Sequence, residues 1–91
     1  MDILNLVLHN NSAGILQNEW DPETINQQNA DGMTPLMLAA KSGFDEVVLA
    51  LKEKGADVNI VDATGRKAVH YAALYGHGLI IILLIEGGCG G

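Results

Sequence analysis

The chain has 91 residues, enough for one hydrophobic core and too few for two, because a polypeptide this short buries only roughly 60–65% of its unfolded surface. With 48% hydrophobic and 18% charged residues it is too apolar for a disordered chain, so a packed fold is expected. Eleven acidic against five basic residues give a net charge of −6, which opposes both the phosphate neutralisation behind nucleic-acid binding and electrostatic attachment to a membrane surface.

The first segment, Met1 to Leu8, has no basic start and is broken by Asn5, so it fails as a signal peptide. Ile3, Leu6 and Val7 have helical spacing, and Ile15, Leu16 and Trp20 fit a second helix with an extra residue inserted. Thr34 and Pro35 are N-cap and first-turn residues, and predict a helix whose apolar face is Leu36, Ala39 and Ala40 and whose end is Gly43. A further helix is predicted from Asp45, burying Val47, Val48 and Leu51, with Asp45 and Glu46 opposite the helix dipole at its start and Lys52 and Lys54 near its end. Gly55 stops it, and Ala56 to Gly65 form an extended excursion with turn formers at the tip, suited to a hairpin-like loop.

The pattern then recurs. A shift of 33 residues superposes Gly32 on Gly65, Leu36 on Val69, Ala39-Ala40 on Ala72-Ala73, Gly43 on Gly76, Val47-Val48 on Ile80-Ile81, Leu51 on Leu84 and Gly55 on Gly88. Asp31-Gly32-Met33-Thr34-Pro35-Leu36, Leu38-Ala39-Ala40, Gly43, Val47-Val48 and Gly55-Ala56-Asp57-Val58-Asn59 resemble an ankyrin repeat, and Thr64 to His77 resemble a second, with Lys67-Ala68 in place of the family's Thr-Pro. The resemblance implies an all-α solenoid of stacked helix-turn-helix units with hairpin-like loops. It divides a single domain, 1–91, into a degenerate N-terminal capping repeat at 1–28, a first full repeat at 29–61 and a second at 62–91 with no C-terminal cap.

Candidate chemistry is sparse. Cys89 is the single cysteine, so an intrachain disulfide and a four-ligand zinc site at the usual spacings are excluded. His70, His77 and Cys89 are the soft ligands of one region, but packing roles account for the two at 77 and 89, and no metal or cofactor is expected. The carboxylate pairs Asp21/Glu23 and Asp45/Glu46 read as helix-start residues, and no nucleophile elbow, P-loop or dinucleotide fingerprint is present, so no enzyme is expected. Asn59 occupies the position of the asparagine that the family presents to an asparaginyl hydroxylase, although a turn-forming side-chain hydrogen bond accounts for it.

What remains is surface. The resemblance implies a protein-protein interaction module that grips a protein partner by its loop tips and first helices, here Asp31, Met33, Lys41 and Ser42, then Thr64, Arg66, Leu74 and Tyr75. The run Leu79 to Ile85 is apolar on every side of a helix and, at seven residues, is far short of the roughly 18–20 that cross a bilayer. It therefore expects cover, and Leu79, Ile82 and Ile85 are read as the face for a following repeat or for a second copy of the chain. The alternative function is accordingly a structural N-terminal segment of a longer scaffold, or self-association through this end. An intracellular, cytoplasmic or nuclear setting is expected, with no nucleic-acid partner and no membrane insertion.

Overall fold

Helix starts recur along the chain with the sequence period. In the structure, a computed structural model that describes residues 3–89 and side chains through residue 85, the helices are α1 (Ile3–Leu8), α2 (Ser12–Gln17), α3 (Pro22–Ile25), α4 (Pro35–Ser42), α5 (Asp45–Glu53), α6 (Ala68–Leu74) and α7 (Gly78–Cys89). α2, α5 and α7 begin at 12, 45 and 78, so the register of 33 holds through the N-terminal unit and no residue is inserted there. Instead α2 is short: it ends at Gln17, and Trp20 lies beyond it, its indole N–H donating to the Ile15 carbonyl at 2.8 Å. Leu16, expected inside, is exposed, and the side chain that fills the core is its neighbour Ile15.

Two layers result. The first helices α1, α4 and α6 pack side by side in that order, and so do the second helices α2, α5 and α7, while each first helix also packs on the second helix of its own unit. The core between the layers is aliphatic: Ile3, Leu6, Val7, Ile15, Leu36, Met37, Ala39, Ala40, Val47, Val48, Leu51, Ala72 and Ile80 are all buried. Alanines at 39, 40 and 72 let neighbouring helices approach closely, which is why so few aromatic residues suffice.

Local chemistry sets the helix ends. The Thr34 hydroxyl accepts the Met37 amide at 3.2 Å with Pro35 in the first turn, as expected, a cap worth about 1 kcal/mol. Where α6 would repeat this, Lys67 cannot cap; the His70 Nδ1 reaches back to accept the Lys67 amide at 2.9 Å, which is half of a capping box. Each first helix ends on a residue at positive φ: Gly43 at +80° and Gly76 at +75°, with Asn10 at +54° taking the place in the N-terminal unit, since asparagine tolerates that conformation better than other side chains.

The loops are turns; among the described residues no segment forms a strand, so the hairpin-like excursions are single turns with short extended flanks. Their tips are built alike. The Asn29 amide oxygen accepts the Asp31 and Met33 amides at 2.9 and 3.0 Å, and the Asp62 carboxylate accepts the Thr64 and Arg66 amides at 2.8 and 2.9 Å. α3, which the repeat pattern does not foretell, is one turn in the N-terminal loop, capped by the Asp21 carboxylate on the Thr24 amide at 2.8 Å.

Candidate functional site

Neighbouring units are stitched by polar contacts that also place the surface residues. The Asn26 amide oxygen accepts the Asp57 amide at 2.9 Å, Gln28 donates to the Val61 carbonyl at 2.9 Å, and the Ala63 amide donates to the Asp31 carbonyl at 3.2 Å. At the other end of the first helices, the His77 Nε2–H donates to the Lys41 carbonyl at 3.2 Å. Between the second helices, Ser12 donates to the Glu46 carboxylate at 3.4 Å and the Lys52 ammonium donates to the Leu83 carbonyl. Loop tips and helices are therefore held in one register, and the surface they form is preorganised.

Most of the expected contact residues stand on that surface. Asp31, Lys41, Ser42, Thr64 and Arg66 are exposed, Leu74 is 62% exposed and Tyr75 49%. Lys41 and Tyr75 come together, the ammonium 5.9 Å from the ring centroid, and the same ring stacks on His77 at 6.5 Å. Arg66, His70, Ala73 and Leu74, with Gly65, line an open hollow of about 530 Å³ along α6, on the side where a following unit would stack.

Met33 is the exception. It is 6% exposed and belongs to the core, whereas Arg66, one repeat on at a turn built the same way, is exposed; the next unit stands against the Gly32 loop and nothing among the described residues stands against the Gly65 loop. It is not a surface contact. The sequence reading also missed Asp62, which organises the second loop: its carboxylate accepts the Tyr71 hydroxyl, the Arg66 amide and the Thr64 hydroxyl, and these hold it well below the usual carboxylate range against the opposing effect of burial. The matching positions Asn29 and Asp62, each three residues before a loop glycine, carry the signal that would have found it.

The apolar residues of α7 divide between two faces. Glu46 and Leu49, at the register of Leu79 and Ile82, remain exposed although α7 lies beside α5, so Leu79 and Ile82 do not face a following unit; they lie on the outer side of the second-helix layer. Ile85 has the register of Lys52, which reaches the next unit, and so belongs to the end face. Among the described residues nothing covers that end face. A side chain at Gly32 or Gly43 would meet the next unit's Ala63 backbone or His77 ring, whereas Gly65 and Gly76 have nothing within 4 Å; Met37 and Ala40 are buried, whereas His70 and Ala73 are exposed.

His70 and His77 serve separate backbone partners, Lys67 and Lys41, and among the described residues no three His, Cys, Asp or Glu side chains gather as metal ligands. The Cys89 side chain lies outside the described residues. Asn59 is exposed, and it is the Asp57 carboxylate, accepting the Asn59 amide at 2.8 Å, that makes the turn attributed to the asparagine. No described helix is long and apolar enough to cross a membrane.

A two-layer stack of helix-turn-helix units at a 33-residue register, joined loop to loop and offering fixed surfaces, defines a helical repeat protein. A family model for ankyrin repeats, in three copies, matches residues 2–90, and the chain belongs to that family. It is 49% identical over 60 residues to Rabankyrin-5 of Homo sapiens, covering 66% of this chain and 5% of that protein. It is also 41% identical over 68 residues to transient receptor potential cation channel subfamily A member 1 of Homo sapiens, covering 75% of this chain and 6% of the channel. A third likeness, 38% over 72 residues, is to the NAD-capped RNA hydrolase NUDT12 of Homo sapiens, with 79% of this chain and 15% of the hydrolase covered. The chain thus spans only a small part of each of these relatives. Ankyrin repeats are general protein-protein interaction modules and are generally non-catalytic.

Proposed function

We propose that the chain is a non-catalytic module that binds a protein partner through the concave face of its loop tips and first helices, at Asp31, Lys41, Ser42, Thr64, Arg66, Leu74 and Tyr75. The observation that supports this most is the pairing of Leu74 and Tyr75, two large side chains left in water at the end of α6, with the Lys41 ammonium 5.9 Å from the Tyr75 ring and Arg66 exposed at the loop end of the same helix. An aromatic anchor with an exposed aliphatic beside it suits a binding hot spot, and the two cations supply orientation toward an acidic or mixed partner surface. In this reading 29–61 and 62–91 are full repeats, 1–28 is a degenerate cap, and the module works inside the cell. The test is a photo-crosslinking side chain at position 75 in cell extract, with and without Arg66→Glu and Lys41→Glu. A discrete protein adduct lost in the charge-reversed form supports the face; adducts that persist unchanged remove it.

A second reading is favoured by the bare end face: the chain is a structural segment on which a further repeat or a second copy stacks, through Gly65, His70, Ala73 and Ile85. Sedimentation over a concentration series separates the versions. Dimers abolished by Ile85→Lys support self-association, and a monomer at all concentrations removes it.

A further inference from the structure

The outer side of the second-helix layer carries a feature that repeat stacking does not require. Leu16, Leu49 and Ile82 stand at successive 33-residue positions on α2, α5 and α7, and are 43%, 42% and 52% exposed. Their immediate predecessors Ile15 and Val48 are fully buried, and Ile81 is partly buried, so the inward-facing position is filled by its own residue and the next one is free to be polar. Leu49 is the decisive member: it has α2 on one side and α7 on the other, both in place, and is still exposed. No further repeat stacked on the end face covers it.

The Ser12 to Glu46 and Lys52 to Leu83 contacts hold the three helices level, so the aliphatic side chains form a row across the layer, widened on α7 by Leu79, one turn before Ile82 and 54% exposed. Exposed carboxylates border it on α5: Glu46 and Glu53 lie three residues before and four after Leu49. The nearest cation, Lys52, is turned onto the Leu83 carbonyl.

We propose that this row of Leu16, Leu49, Ile82 and Leu79 is a second docking surface, and that its occupant is a basic amphipathic helix of another protein. Packed helices lie roughly 8–10 Å apart, so the row spans roughly 16–20 Å. A helix laid across it rises about 10.5 Å in seven residues and presents an apolar residue to each row member in turn. Lysine or arginine beside that apolar stripe meets Glu46 and Glu53. The same carboxylates disfavour an anionic lipid surface, and a second copy of this chain, at net charge −6, brings the wrong sign.

The experiment titrates the purified chain into fluorescent peptides of about 18 residues, followed by anisotropy. One peptide is a leucine-lysine amphipathic helix, one has its order scrambled, and one carries glutamate in place of lysine. Tight binding of the first alone is expected, weakened about tenfold or more by Leu49→Lys with Ile82→Lys and untouched by Tyr75→Glu on the concave face. The charge variant Glu46→Gln with Glu53→Gln leaves the packing intact and weakens binding at low salt. Equal binding of the scrambled peptide, indifference to both variants, preference for phosphatidylcholine vesicles over the peptide, or a dimer that Leu49→Lys dissolves each overturns the proposal.

Discussion

Gly32 and Gly65 adopt the same left-handed backbone, at φ +78° and +82°, but a side-chain carbon on Gly32 would lie 2.6 Å from the Ala63 amide nitrogen whereas one on Gly65 would meet nothing within 4 Å. The two positions are one repeat apart, and the difference between them is the presence of a following unit. Both lose roughly 1–2 kcal/mol on substitution by alanine from backbone conformation alone. Gly32→Ala adds a collision with fixed backbone, a further loss of about 1–3 kcal/mol. Urea denaturation followed by circular dichroism should therefore rank Gly32→Ala well below Gly65→Ala, and equal losses would mean that the loop of one unit does not bear on the loop before it.

Met33 is predicted to act through stability. Met33→Ala empties a core site and should lower the unfolding free energy by about 2–5 kcal/mol, Met33→Leu by less than about 1.5, and Ser42→Ala, on the surface, by no more than about 0.5. The measurement is the denaturant midpoint of the three variants. A Met33→Ala protein as stable as the native chain would return Met33 to the surface.

The ends of α4 were legible in the sequence because each rests on a residue that acts locally, Thr34 accepting an amide, Pro35 needing none to donate and Gly43 turning left-handed. The 33-residue period likewise placed Leu36, Ala39, Val47, Val48 and Leu51 inside. Adjacent apolar residues defeated it, since periodicity on a six-residue helix does not decide whether Ile15 or Leu16 turns inward. Met33 was misplaced for a related reason: its burial comes with the unit stacked against its loop, a contact between repeats that leaves no hydrophobic period. The bordering of Leu49 by carboxylates was visible as spacing, but its exposure between two packed neighbours emerges only from the stack.

Asp62 sets a pH dependence with a definite sign. Its carboxyl is held below the usual range first by the Tyr71 hydroxyl, then by the Arg66 amide and the Thr64 hydroxyl. A depressed native value means the stabilisation is complete above the unfolded carboxyl's value, near 3.9, and is lost as pH falls from there through the native value. Tyr71 is shifted the other way, upward, first by its hydrogen bond to Asp62, then by burial; its stabilisation is complete below about 10 and fades as pH rises through the native value. Asp62→Asn should therefore be less stable than the native chain at pH 7, with the gap closing below about pH 4. Urea midpoints between about pH 3 and 8 test this, and a gap that does not change with pH removes the carboxylate from the account.

Lys67 is the point at which the second unit departs most plainly from the first. It stands 33 residues after Thr34, at the start of α6, where a side-chain oxygen would accept the third amide of the helix; its own amide is instead satisfied by the His70 ring. Lys67→Thr supplies the missing acceptor and removes a positive charge from the positive end of the helix dipole, so it should stabilise the chain by about 0.5–1 kcal/mol. His70→Ala removes the reciprocal bond and should act in the opposite direction. If Lys67→Thr raises stability while His70→Ala in the same chain lowers it, α6 is limited by its cap. If Lys67→Thr changes nothing, the geometry imposed by the Asp62 turn keeps a threonine hydroxyl from reaching the helix, and the loop governs where α6 begins.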